Sequence, residues 1–138
     1  MTPKEIKTKA RWIDRTLMKS HFKIALCTSE EDFQFELKRL HVPEKDWNVW
    51  LEPDADGTTH MFDGVAKGKP EKIIIVCIEK DNNDAISFLI HEAVHIYQFE
   101  IAHIQETNPS DELMAYSVQE IATNLIKAYC EKPKRKKK

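Results

Sequence analysis

The chain has 138 residues, 41% hydrophobic and 32% charged, with a formal net charge of −2. That is enough apolar material for one domain with its own core, and no apolar run approaches the roughly 18 residues of a transmembrane helix. Residues 132–138 hold 6 of the 21 basic residues, leaving 15 against 23 acidic ones, so a body of −8 argues against a nucleic-acid-binding surface on the fold itself, and no specific nucleic-acid partner is expected.

The expected layout is a single domain over 1–131 and a disordered basic tail over 132–138. Met1-Thr2-Pro3-Lys4-Glu5-Ile6-Lys7 lacks the apolar stretch of a signal peptide. Cys27, Cys77 and Cys130 form no C-x-x-C pair, which predicts reduced thiols in a cytoplasmic compartment.

In chain order, Ile6, Ala10, Ile13 and Leu17 recur near a 3.6-residue period and predict an amphipathic helix over 4–20, widened by Trp12 and Met18. Phe22–Cys27 alternates and predicts a short strand. Ser29 and the three acids after it open a second helix over about 30–40, with Phe33, Leu37 and Leu40 inward and His41 just past its end. Pro43 stops that helix, and Trp47-Asn48-Val49-Trp50 reads as an aromatic plug in a connecting segment. Asp54-Ala55-Asp56-Gly57 is a turn leading to a strand over Thr58–Phe62, and Asp63 through Pro70 reads as a loop. Lys72–Ile78 is the strongest strand signal, β-branched and apolar on both faces.

Asp81-Asn82-Asn83-Asp84 turns the chain into a helix that continues to about Glu106, with Asp84 as its cap. Asn108-Pro109 ends it, and Ser110 starts a final helix over about 111–130 that buries Leu113, Met114, Val118, Ile121, Ala122 and Leu125.

The penultimate helix carries the chemistry. Ala85–Phe99 contains one His-Glu-x-x-His, and on a helix His91 and His95 project from one face a turn apart. Two nitrogens so placed can reach a single Zn²⁺ at about 2.0–2.1 Å each. Glu92 lies between them, set to take a proton from an activated water. The motif is apolar on nearly every side, which predicts a buried helix whose polar groups a metal satisfies. The plainer alternative is a core helix with incidental histidines.

A catalytic zinc needs a third protein ligand and an open position. His103 and Glu106 lie roughly 12 Å and 16 Å beyond His95 along the helix, and Glu100 is rotated about 140° away. The extended H-E-x-x-H-x-x-G-x-x-H pattern is absent, since Gln98 and Ile101 hold its later positions. A ligand must therefore return on the last helix, where Glu112 and Glu120 are the acids, too far apart to share one metal. Glu112 stands first after the reversal, although a first-turn acid also suits the helix dipole. Both remain candidates on spacing alone.

His91-Glu92-x-x-His95 followed by Glu112-Leu113-Met114-Ala115-Tyr116 resembles the small gluzincin peptidases. It looks most like the minimal zincin domains of phages and mobile elements, akin to the ImmA/IrrE group. The resemblance runs from about Thr58 to Leu125. It implies an α+β minimal zincin fold, with a small, mainly antiparallel three-stranded sheet packed on the motif helix, N-terminal helices and a C-terminal helix. It implies Zn²⁺ held by His91, His95 and Glu112, Glu92 as general base, and cleavage of a protein or peptide substrate in the cytoplasm of a bacterial or phage-infected cell.

Tyr116, one turn after Glu112, could steady a ligand or donate to the oxyanion, or else pack in the core. His60 is a second possible pocket donor, with a core or surface role as the simpler reading. The competing function is a zincin-fold phage structural, accessory or binding protein with a structural or vestigial zinc site, with no membrane partner.

Overall fold

The computed structural model describes residues 10–17, 20–104 and 109–131. Strands β1 (Arg11–Ile13), β2 (Lys23–Cys27), β3 (Gly57–Ala66) and β4 (Lys69–Ile78) form one sheet in the order β1-β2-β4-β3. β1 runs antiparallel to β2 and β3 antiparallel to β4, while β2 and β4 are parallel, with Ile24 opposite Ile74 and Cys27 opposite Cys77. Helix α1 (Glu30–Arg39) covers one face, and α2 (Ala85–His103) and α3 (Asp111–Cys130) cover the other. The described residues thus form a mixed α+β fold with a four-stranded sheet and three α-helices.

β4 explains the layering. Ile73 through Ile78 are fully buried, with Ile74, Val76 and Ile78 turned to α2 and α3, and Ile73, Ile75 and Cys77 turned to α1. A run apolar on both faces can only be central, and each buried isoleucine contributes about 1.5–3 kcal/mol. α1 forms as its sequence demands: Ser29 accepts a hydrogen bond from the Asp32 amide at 3.2 Å, and three acids occupy the first turn. It ends with His41 at φ 57°. Trp47 and Trp50 pack on this face, as an aromatic plug should.

The amphipathic helix expected over 4–20 does not form in its described part. Residues 11–13 are instead the edge strand β1, and 14–17 are not helical; residues 4–9 and Met18 and Lys19 lie outside the described residues. Tertiary contacts outweigh the 3.6 period here. Ile13 enters the core under α2 and α3, Trp12 sits beneath the Arg39 guanidinium on the other face, and Arg11 donates to the carbonyls of Ala128 and Tyr129. Among the described residues, α1 is the one N-terminal α-helix.

The loop expected over Asp63–Pro70 is the tip of a hairpin. Lys67 and Gly68 both take positive φ, 52° and 77°, as a two-residue hairpin turn requires. Gly64 marks a close approach: a Cβ there would stand 2.6 Å from the Leu40 carbonyl oxygen, which accepts from the Val65 amide at 3.0 Å. The three-stranded sheet gains a fourth member through β1.

α2 ends at His103, and Glu106 lies outside the described residues, as does the basic segment 132–138. Asp84 occupies the cap position without a side-chain bond; Asn82 Oδ1 accepts from the Asp84 amide at 2.7 Å, and Tyr129 Oη accepts from the Asn82 amide at 3.1 Å. Ser110 caps α3 through the Leu113 amide. Met114, expected in the core, is exposed, while Ile121 and Leu125 are fully buried. No described helix is long and apolar enough to cross a membrane.

Candidate metal centre

α2 turns Ala85, Leu89, Ala93, Ile96 and Ile101 into the core, because these side chains recur on one side of the helix. Its other side is open. His91 and His95 are exposed, and so are Ile86, Ile90 and Val94 beside them. The expectation of a wholly buried helix is therefore corrected: apolar residues surround the motif in sequence, but no described element covers that face.

The histidines converge as their spacing requires. Their Nε2 atoms stand 3.0 Å apart, with ring centroids at 4.7 Å and planes inclined by 70°. Gln98 Oε1 lies 3.0 Å from His95 Nδ1, and in the tautomer in which Nδ1 donates to it, Nε2 is the nitrogen left to ligate. Two nitrogens bound to one tetrahedral zinc at about 2.0–2.1 Å stand roughly 3.3 Å apart, so this pair fits two positions of such a site. Gln98 is placed as an outer hydrogen-bond partner would be if His95 were to ligate a metal. Spacing alone did not single it out, though its i, i+3 position to His95 was a usable signal.

Glu92 is buried, one residue round the helix from His91 and toward the core.

The other candidates do not join the pair. Among the described residues no group of three or more His, Cys, Asp or Glu side chains assembles as a metal cage, so Glu112 is not brought to the histidines. Glu112 is an exposed residue in the first turn of α3. Glu120 is taken elsewhere: Arg15 and the Thr16 hydroxyl bond its carboxylate, and the Thr16 amide donates to it at 3.0 Å. Burial alone would raise its pKa, but the Thr16 bonds and the Arg15 charge hold it below the ordinary carboxylate value.

The same arginine explains the arrangement. Arg15 also clamps Glu100 on α2, with Nε to Oε2 and Nη2 to Oε1 both at 2.9 Å. Glu100 lies about 140° round α2 from His95. Glu112, Tyr116 and Glu120 recur at four-residue intervals along one side of α3, so Arg15 ties that side to the part of α2 turned from the histidines.

Tyr116 is 57% exposed, which corrects the core-packing alternative, and it lines a surface groove with Trp12, Leu17 and Glu120. His60 is a core residue. It is 7% exposed, stacked against Phe33 at 5.1 Å and Phe62 at 5.9 Å, on the sheet face opposite α2. Burial keeps its pKa below the ordinary histidine value. It is not a donor to the α2 site.

No protein-family model, no curated protein and no solved structure matches this chain.

Proposed function

We propose that the protein is a zinc-dependent hydrolase of peptide bonds, with His91 and His95 as ligands and Glu92 as general base; Glu112, the third ligand the family resemblance implies, would have to move to the pair from its place on α3. The observation that carries this reading is the pair of Nε2 atoms 3.0 Å apart on an open helix face, with a carboxylate one residue away. Zinc bound there supplies Lewis-acid polarisation of water and of a scissile carbonyl. Glu92 accepts the proton released as water adds to that carbonyl, then returns it to the departing amine as the C–N bond breaks. Gln98 holds the His95 ring in the ligating tautomer throughout. The substrate is a protein or peptide, and the setting is the cytoplasm.

A second reading is favoured by the openness of the site. Only two donors converge among the described residues, and Ile86, Ile90 and Val94 lie bare beside them. A metal-stabilised binding or accessory protein needs the ligands and no general base.

Glu92→Gln separates the two. For a hydrolase, the variant keeps zinc and fold and loses roughly 10²–10⁴ in the rate of peptide hydrolysis. Turnover and cellular phenotype that survive Glu92→Gln but fail in His91→Ala overturn the peptidase reading in favour of a structural metal.

A further inference from the structure

The acidic balance of the body conceals a segregation of charge along the sheet. Acids gather where β2 and β4 end: Glu30, Glu31 and Asp32 open α1, Glu79 and Asp81 follow β4, and Asp56 precedes Gly57, the partner of Ile78. Cations gather where β4 begins. A groove of about 920 Å³ there is lined by Lys23, Arg39, Lys67, Lys69, Lys72 and the exposed ring of Trp12, with Glu71 as the one carboxylate of its lining.

That carboxylate is already neutralised. Glu71 receives Lys23 at 2.8 Å and Arg39 at 2.6 Å, and Lys72 is held by Asp63 at 2.9 Å. Lys67 and Lys69 flank the hairpin tip, are exposed, and make none of the ion pairs formed among the described residues. Trp12 is 47% exposed, with the Arg39 guanidinium 5.4 Å from its ring on the α1 side of the sheet. The surface therefore combines two unpaired lysines with a half-exposed indole that carries Arg39 over its ring, on the sheet face opposite the histidine pair.

We propose that this groove binds a single-stranded polynucleotide without base specificity. Phosphates meet Lys67 and Lys69, and a base stacks on Trp12, the combination by which single strands are held. An acidic peptide would use the lysines and leave the indole uncovered, so the exposed tryptophan favours the nucleic acid. The inference does not rest on the zinc site.

The test is tryptophan fluorescence of the full chain titrated with a (dT) oligonucleotide of about ten residues in roughly 20 mM salt. Saturable quenching is expected, with log K falling against log salt at a slope of about −1 to −2, as for two phosphates on a single strand. Lys67→Glu/Lys69→Glu should weaken binding tenfold or more, and Lys67→Gln/Lys69→Gln should weaken it less, each with an unchanged melting temperature. Trp12→Leu should abolish most of the quenching. The proposal is overturned by absence of binding, by binding that survives charge reversal and disappears only when residues 132–138 are deleted, or by poly-glutamate of equal charge binding as tightly as the oligonucleotide.

Discussion

Arg15→Met is the sharpest test of how the helices are held. The Arg15 side chain is 3% exposed and that of Glu100 is 1% exposed, so the substitution strands a carboxylate in the interior. Breaking a buried ion pair from one side costs about 3–5 kcal/mol, while Glu120 keeps its bonds from Thr16. For a domain of this size that corresponds to a fall of about 10–15 °C in Tm, read by circular dichroism at pH 7. The loss should shrink in acid. Glu120 titrates below its unfolded value in the parent, so its stabilisation is present above roughly pH 4.3 and is lost as pH falls through the folded value. Adding Glu100→Leu to Arg15→Met should recover much of the loss, because an apolar pair leaves no buried charge. A variant within about 1 kcal/mol of the parent at pH 7 would refute the idea that this clamp joins α2 to α3.

Gly64→Ala should destabilise by about 1–3 kcal/mol in urea unfolding, because the added methyl meets the Leu40 carbonyl oxygen; a neutral outcome would mean that α1 yields freely against β3. His60 is held neutral by burial, so its folded pKa lies below the unfolded value and the unfolded chain binds the extra proton. Stability should therefore decline as pH falls below about 6.5, and His60→Phe should flatten that decline; an unchanged profile would place the cause elsewhere. Cys27 and Cys77 are fully buried and burial pushes both thiols up, so a thiol reagent should label Cys130 alone in the folded chain. Rapid labelling of all three would contradict the packing of β2 against β4.

Legibility followed the range of the interactions. β4 and α1 could be read from sequence because their signals are local: an unbroken β-branched run in one, a serine cap with first-turn acids in the other. β1 could not. Its three residues are fixed by Arg11 bonding carbonyls more than a hundred positions away and by Trp12 under Arg39, and no window of the sequence holds both partners. The Lys67-Gly68 turn escaped because lysine is an uncommon first residue at positive φ, whereas Asp63-Gly64 looked like a turn and proved a close contact.

The histidine pair was legible because four residues of helix fix its geometry. The exposure of its face was not, since Ile86, Ile90 and Val94 are as apolar as the core side of α2. Nor was the placement of the acids on α3. That depends on how α3 is rotated about its axis, which Arg15 sets through Glu100 and Glu120. Glu112→Ala should weaken zinc binding far more than Glu120→Ala if Glu112 is the ligand, and the reverse order would transfer the role.

The central claim is that His91 and His95 together hold a zinc ion, and metal titration of the purified chain beside His91→Ala and His95→Ala tests it most directly. About one zinc per chain is expected for the parent, with binding lost in both variants. Zinc bound as tightly by both variants as by the parent would contradict the claim and place the metal elsewhere on the chain.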